Sequence, residues 1–352
     1  MSCTRKSSFS LVATALAVCT ACSTVGSTGD SAAAGDDTVV LVTHDSFSVR
    51  DEVLDEFEEE SGLTVETRAP GDAGTMVNQL VLTKDSPLGD VVYGIDNAFA
   101  SRALEAGVLA AHSRPEATEL VAGLAVDGSD RLTPVDYGDV CLNVDRDWFA
   151  ARDLAEPRTL EDLTDPAYAG LTAVTDPATS SPGLAFLIAT VDAFGAEWPD
   201  YWARLRANDL AVADSWEDAY YVDFTAGGGG GSRPIVLSYA SSPPYTVPKG
   251  EDEPTTRALL DTCFRQVEYT GVLEGAANPE GAQQLVDFLL SQRFQADIPR
   301  QMYVYPAVAG TPLPPLWERY APLADEPYSV SPAVIDANRE EWIEQWTATV
   351  VD

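Results

Sequence analysis

Short apolar runs alternate with amphipathic stretches along most of this chain. The run TVVLVT (38–43) predicts a buried strand, and the stretch 50–60 predicts a helix because Val53, Leu54 and Phe57 share one face. The alternation continues with strands predicted at LTVETR (63–68), DVVYG (90–94), LTAVTD (171–176) and PIVLS (234–238). Helices between successive strands are typical of a parallel sheet that is covered on both faces.

Two such units follow one another, which predicts an α/β fold with two lobes. We expect residues 38–136 and 268–352 to form lobe 1, and residues 137–267 to form lobe 2. The segments 136–141 and 263–269 are predicted to link the lobes as two crossover strands, with a cleft between the lobes. In open α/β sheets, ligands bind beyond the carboxyl ends of the strands.

The first 21 residues predict a bacterial lipoprotein signal peptide. Arg5 and Lys6 precede an apolar run that ends in CTAC, and cleavage before Cys22 would leave this cysteine to carry lipid. Because Cys19 stands where such signals usually have Leu, cleavage before Cys19 or an unlipidated secreted form stays open. Either outcome predicts an extracytoplasmic protein, and lipidation of Cys22 would anchor it to the cell membrane.

A tether is predicted between the signal and the folded body. Residues 22–37 are mostly Gly, Ser, Ala, Thr and Asp, and such a composition cannot bury enough apolar surface to fold. After the signal, no stretch approaches the roughly 20 consecutive apolar residues that a membrane helix needs. A lipid on Cys22 is therefore the predicted link to the membrane.

The chain is strongly acidic, and this excludes one class of partner. It has 56 Asp and Glu residues against 21 Lys and Arg, with a formal net charge of −35 at pH 7. Such a surface repels nucleic acid. It suits a cationic ligand, although most of these carboxylates are expected on solvated helix faces.

Two cysteines remain beyond the tether, Cys141 and Cys263. In an oxidising compartment they predict a disulfide, which would stabilise the fold by about 2 to 4 kcal/mol. Two buried free thiols are the alternative. Neither cysteine has a His or a second Cys at ligand spacing, so no zinc or other metal site is predicted.

Catalysis is not predicted. The only histidines are His44 and His112, and neither a Gly-x-Ser-x-Gly nor a His-Glu-x-x-His motif is present. Acidic pairs for glycoside hydrolysis could be chosen at will among so many carboxylates, so no such pair supports an enzyme.

Polar and aromatic residues gather after the predicted strands. The segments that carry them are THDSF (43–47), GIDN (94–97), VDYG (135–138), DPATSSPG (176–183), DSWEDAYY (214–221), SYASSPPY (238–245) and IPRQMYVYP (298–306). Their order resembles that of the periplasmic thiamine-binding proteins of ABC importers, over about residues 38–320. SYASSPPY, DYG and DPATSSPG carry the most specific part of this resemblance.

The resemblance implies a periplasmic-binding-protein-like fold of type II whose lobes close around thiamine or a thiamine phosphate. It implies delivery of the ligand to an ABC permease, and we expect a monomer without a cofactor. The aromatic clamp for the cationic thiazolium ring would comprise Trp216, Tyr239, Tyr245 and Tyr303. The family usually has Tyr in place of His44 and Trp in place of Tyr303. These two differences predict weaker stacking on the ligand or a somewhat altered ligand.

Polar contacts to the ligand are implied in the same way. Asp45, Asp72 and Asp96 are candidates for the ring amine or the charge, and Ser180 and Ser181 would suit a hydroxyl or phosphate at a helix N-terminus. The remaining candidate ligand contacts are His44, Ser46, Asp136, Tyr137, Tyr220 and Ser242.

Other interpretations of the same residues remain open at the level of sequence. Asp72 is well placed to cap a helix, and Trp216 could belong to the core. Tyr220 and Tyr221, with His44, could bind ferric ion through phenolate oxygens, as in ferric-ion-binding relatives of the same fold. A surface-anchored glycosidase or adhesin is the alternative from another functional class.

Overall fold

The computed structural model describes residues 37–115, 118–126 and 129–351. The predicted signal 1–21, the lipidation site Cys22 and the tether up to residue 36 lie outside the described residues. Within the described ranges, none of the helices is both long enough and apolar enough to cross a membrane.

Ten strands are described. Their bounds are β1 Thr38–Thr43, β2 Thr64–Arg68, β3 Val91–Asp96, β4 Thr133–Asp145, β5 Thr172–Thr175, β6 Ala211–Ala213, β7 Ile235–Tyr239, β8 Thr256–Ala258, β9 Phe264–Val272 and β10 Tyr305–Pro306. They form one sheet in the described part of the chain, with β8 and β10 added at β4. The order of the other eight is β2-β1-β3-β9-β4-β7-β5-β6.

The helices lie between and after these strands. Their bounds are α1 Asp51–Ser61, α2 Ala73–Leu82, α3 Ala100–Ala106, α4 Arg146–Ala150, α5 Ser181–Phe194, α6 Trp198–Ala207, α7 Pro279–Leu289, α8 Gln292–Gln295, α9 Ile298–Gln301, α10 Trp317–Tyr320 and α11 Pro332–Val350. A π-helical turn covers Asp218–Asp223, and a 3-10 turn covers Pro243–Thr246.

The sheet has two parallel halves joined by two long antiparallel strands. β1 pairs in parallel with β2 and β3, while β5 pairs in parallel with β6 and β7. Between these halves, β9 runs antiparallel to β3 and β4, and β4 runs antiparallel to β7. The two α/β lobes predicted from the alternating pattern are therefore confirmed, and so are the two predicted crossover strands.

The apolar pattern accounts for these elements. β1 is buried from Val39 to Thr43, and α1 turns Val53 and Phe57 into the core while its acidic residues face solvent. The helix that follows β3 begins only at Ala100. The reason is local, because the carboxylate of Asp96 accepts the N–H groups of Ala98 and Phe99 and holds them in a turn.

The crossover strands are tied together covalently. Cys141 of β4 and Cys263, which directly precedes β9, form a disulfide with their Cα atoms 4.3 Å apart. The bond is buried and closes a loop across a sequence separation of 122 residues. Such a bond stabilises a fold by about 2 to 4 kcal/mol, largely by restricting the unfolded chain.

The C-terminal helix α11 contacts both halves of the molecule. The ring of Trp346 packs edge-on against Trp202 of α6, with centroids 5.5 Å apart. Near the other end of the helix, the guanidinium of Arg339 donates to the backbone carbonyl of Ala98, just before α3, at 3.1 Å. Because α11 spans the halves, the lobe boundaries given above for residues 268–352 stay a prediction.

Candidate functional site

A buried cavity of about 160 Å³ lies where the two halves of the sheet meet. Six of the predicted site residues line it, namely His44, Ser46, Asp72, Ser181, Trp216 and Tyr239. They come from different elements, since His44 follows β1, Asp72 precedes α2, and Ser181 begins α5. The carboxyl ends of the strands therefore meet at this cavity, as expected for an open α/β sheet.

One side of the cavity is charged, and we call His44, Asp72 and Glu268 the charged floor. Nε2 of His44 lies 3.3 Å from Oε2 of Glu268, and both side chains are about nine-tenths buried. Burial disfavours the imidazolium, but the charge of Glu268, with those of Asp72 and Asp136, outweighs it and raises the pKa of His44 to about 9.

Asp72 both caps a helix and contacts the other half of the molecule. Its Oδ1 accepts the N–H of Ala73 at 2.6 Å, which caps α2, and its Oδ2 accepts the N–H of Trp216 at 3.1 Å. Burial and the charge of Asp45 raise the pKa of Asp72 above its ordinary value. The capping role anticipated from sequence and a position in the cavity are thus combined in one carboxylate.

Two further carboxylates lie behind the floor. The hydroxyl of Tyr93 donates to Asp136, and the hydroxyl of Ser181 donates to Asp96. Burial raises the pKa of Asp96 to about 7, against the opposing effect of the Ala98 N–H bond. Burial and the charge of Glu268 raise the pKa of Asp136 well above its ordinary value.

Hydrogen bonds join the two halves of the molecule around the cavity. Besides the bond from Trp216 to Asp72, the N–H of Thr75 on α2 donates to the carbonyl of Thr179 at 3.2 Å. The Ser181 hydroxyl at the start of α5 reaches Asp96 at the end of β3. These contacts hold the cavity closed in the structure.

Another part of the lining is aromatic, and we call Trp216, Tyr221 and Tyr239 the aromatic wall. Tyr220 stacks behind Trp216, with ring centroids 5.0 Å apart and an interplanar angle of 20°. Tyr221 meets Trp216 edge-on at 5.5 Å. The π-helical turn at Asp218–Asp223 turns these adjacent tyrosines in different directions, so that only Tyr221 reaches the cavity.

The segment SYASSPPY supports the wall through its hydroxyl groups. Nε1 of Trp216 donates to Oγ of Ser238 at 3.1 Å, and Ser238 pairs with Ser242 at 2.8 Å. The Tyr239 ring lines the cavity, and its hydroxyl accepts a hydrogen bond from Gln266 at 3.2 Å. Gln266 also donates to Glu268 at 2.8 Å, which links wall and floor.

The structure does not bring Tyr245 into the cavity. The turn at Pro243–Thr246 directs its ring onto Tyr303, with centroids 3.9 Å apart, and it lines a separate groove beside Trp317. Tyr303 has a left-handed backbone (φ 60°), and its hydroxyl lies 3.4 Å from that of Tyr221. Only Tyr239 of the two tyrosines around the prolines therefore faces the cavity.

The other predicted residues lie behind or beside the cavity. The Ser180 hydroxyl donates to Thr175 at 3.0 Å, and Asp45 contacts Ser46 at 3.4 Å. Tyr137 stacks on Tyr305 with ring centroids 5.4 Å apart, outside the cavity. Direct contact of Ser180, Asp45 and Tyr137 with a ligand stays a prediction, because none of the three lines the cavity.

Several residues that line the cavity are not among the ligand contacts predicted from the sequence. These are Ser48, Glu217, Tyr221, Glu268, Gln301, Met302 and Val304. Glu268 could have been predicted from the sequence, because it is a single carboxylate within the buried strand β9, where a charge is costly unless it is paired. From the sequence, Tyr221 is a candidate only as a ligand for ferric ion. The others follow from loop conformations that the local pattern does not specify.

The ferric-ion interpretation gains no support from this geometry. Among the described residues, no group of three or more His, Cys, Asp and Glu side chains is arranged to hold a metal ion. Burial raises the pKa of both Tyr220 and Tyr221 above the ordinary value, which opposes the phenolate that iron would require. Tyr220 is moreover covered by Trp216.

Comparison with known proteins places this architecture in a family. A family model described as bacterial extracellular solute-binding protein matches residues 52–324. The chain is 28% identical over 324 residues to a thiamine-binding periplasmic protein of Brucella suis, covering 90% of this chain and 93% of that relative.

Solved structures give the same result for the fold. A periplasmic thiamin binding protein superposes with a TM-score of 0.78 at 26% identity, over 89% of this chain and 96% of that one. Iron-bound HitA from Pseudomonas aeruginosa superposes with a TM-score of 0.70 at 23% identity, over 89% and 99%. The chain thus has the two-lobed type II fold of periplasmic binding proteins, and it belongs to the family of bacterial extracellular solute-binding proteins.

Proposed function

We propose that this protein captures thiamine in the cavity between its lobes and delivers it to an ABC permease. The observation that carries the proposal is the pairing of the aromatic wall with the charged floor in one buried cavity. A flat cation is held by aromatic faces, each of which contributes about 0.5 to 2 kcal/mol, and by a nearby carboxylate. The thiamine-binding relatives, which match about nine-tenths of the chain, support the same ligand.

The proposed orientation follows from the two sides of the cavity. The thiazolium ring would lie against Trp216 and Tyr221, with Glu268 as its counter-charge. A phosphate on the ligand would meet the N-terminus of α5, where the helix dipole suits an anion and where the Ser181 hydroxyl would have to leave Asp96 to donate to it. Thiamine phosphates are therefore included as ligands in the proposal.

Closure of the lobes would retain the ligand. The bonds from Trp216 to Asp72 and from Ser181 to Asp96 join the halves in this structure, and opening of the cleft would break them. A ligand that touches both halves would favour this state, because it gains contacts there that an open cleft lacks. We propose a binding role without catalysis, in a monomer.

We also propose that the mature chain begins at Cys22 and is anchored by a lipid on this residue. The order of signal, cysteine and small-residue tether supports this anchor. The tether of residues 22–37 would let the folded body reach a permease in the same membrane. Mass spectrometry of the membrane fraction tests the anchor, and an unmodified protein whose N-terminus differs from Cys22 would contradict it.

Isothermal titration of the purified mature protein tests the ligand. We expect a saturable heat of binding with thiamine, quenching of tryptophan fluorescence and an increase in Tm. Ferric ion serves as the comparison, and it should produce no visible charge-transfer band. The absence of both heat and thermal shift at saturating thiamine would overturn the proposal.

A further inference from the structure

His44 carries the wrong charge for a cavity that receives a cation. Among the described residues that line the cavity, it is the only basic side chain. Its Nε2 lies 3.3 Å from Oε2 of Glu268, and the residue is only 8% exposed. An imidazolium at His44 occupies the position beside Glu268 that a cationic ligand requires.

The ring of His44 has little room to move away. It rests against the bare backbone of Gly94, where a Cβ atom would overlap the imidazole, and Gly94 has a left-handed backbone (φ 94°). Tyr93 flanks the ring, with centroids 6.1 Å apart. With Gly94 on one side and a ligand filling the cavity, the ring has no space to rotate into, and it can respond to the positive charge of the ligand by losing its proton.

The charges around His44 come from every element packed against it. The carboxyl groups are Glu268 of β9, Asp136 of β4, Asp72 before α2, Asp45 next in the chain and Glu217 beyond β6, and the phenol of Tyr93 on β3 is a neutral titratable neighbour. Burial opposes protonation, yet Glu268 and its neighbours raise the pKa of His44 to about 9. The imidazolium thus persists at pH 8, and an added cation at short range would lower this pKa again.

Building on the proposed function, we infer that His44 is a resident counter-ion, which a cationic aromatic ligand replaces by expelling its proton. The imidazolium gives one proton to solvent and remains as neutral imidazole, while the ligand keeps its positive charge. The net charge of the cavity is therefore the same before and after binding. His44 makes ligand capture in this chain a proton-releasing reaction.

The sign of the pH dependence follows from this exchange. The ligand-free protein holds a proton that the complex lacks, so raising the pH favours the complex. Affinity should increase by up to about tenfold per pH unit, with the gain ending near pH 9, where free His44 itself loses its proton. Below that pH, protons compete with the ligand.

Titration calorimetry in several buffers measures the proton directly. Thiamine is titrated into the mature protein at pH 8 in phosphate, HEPES and Tris, whose ionisation enthalpies differ. We expect the observed enthalpy to depend on the buffer, with about 0.5 to 1 proton released per thiamine bound. Binding with an enthalpy independent of the buffer would overturn the inference and leave the proposed function intact. Failure to bind in every buffer would instead overturn the proposed function.

A pair of histidine variants identifies the source of the proton. His44→Gln, titrated to saturation whatever its Kd, should lose most of the proton release per thiamine bound. His112→Gln should release protons as the unmodified protein does, because His112 pairs with Asp287 at 2.9 Å and lies outside the cavity. Release that persists fully in His44→Gln would assign the proton to one of the buried carboxyl groups Asp72, Asp96 and Asp136 and contradict the inference.

NMR of the unmodified protein gives a second readout that requires no cavity variant. With ¹⁵N-labelled histidine, the two imidazoles are distinguished by the spectrum of His112→Gln. We expect His44 to be charged at pH 8 in the free protein and neutral in the thiamine complex. A charged His44 in both states would overturn the inference.

Discussion

The charged floor and the aromatic wall are stabilised in different ways. The floor is held by the ion pair of His44 with Glu268 and by hydrogen bonds from backbone N–H groups to Asp72, and its electrostatics depend on pH. The wall is held by ring packing and neutral hydrogen bonds, such as Trp216 with Ser238. The wall therefore supplies shape and affinity for a flat ring, while the floor determines which charge is accepted.

The largest effect is expected at the wall. Trp216→Ala removes the central ring and exposes the face of Tyr220 behind it. We expect the Kd for thiamine to rise by about 30- to 300-fold, since a central aromatic contact is lost together with its packing. Titration calorimetry measures the change. Trp148→Ala, on α4 and outside the cavity, is the matched control, and an equal loss of affinity there would contradict this assignment.

An intermediate effect is expected at the floor. Glu268→Gln keeps the shape of the side chain but removes its charge, and the Kd for thiamine should rise by about 5- to 20-fold. The loss is moderated because His44 without this partner surrenders its proton more readily. Proton release should fall in parallel. Glu274→Gln, exposed just beyond β9, should change neither quantity. A rise in affinity for Glu268→Gln would rule out its role as the counter-charge.

The smallest effect is expected behind the wall. Tyr245→Ala should change the Kd for thiamine by less than about threefold, because this ring packs on Tyr303 outside the cavity. Its Tm should fall, since a half-buried ring is lost. Tyr239→Ala is the matched comparison, and its Kd for thiamine should rise by more than about tenfold. Equal losses for both variants would mean that the two tyrosines act together, as the sequence had suggested.

Much of the fold could be predicted because its signals are local. The buried run of β1, the amphipathic face of α1 and the alternation of strand and helix each follow from neighbouring residues. The packing of α11 across both halves of the molecule could not be predicted. Its contacts to Trp202 and Ala98 join parts of the chain that are far apart in sequence.

The site shows the same division. His44, Asp72 and Trp216 follow or precede predicted elements, and the sequence selected all three. Tyr239 and Tyr245 look equivalent around the two prolines, but the direction of the turn at Pro243–Thr246 separates them. Glu268 was not selected because a crossover strand was interpreted as a link between lobes, although its charge within a buried strand was a usable signal.

The most direct test of the central claim is a crystal structure of the protein grown with thiamine. We expect thiamine in the cavity, with its thiazolium ring against Trp216 and Tyr221 and beside Glu268, and with Tyr245 making no contact. Thiamine bound elsewhere, or a thiazolium ring turned away from both the aromatic wall and the charged floor, would contradict this expectation.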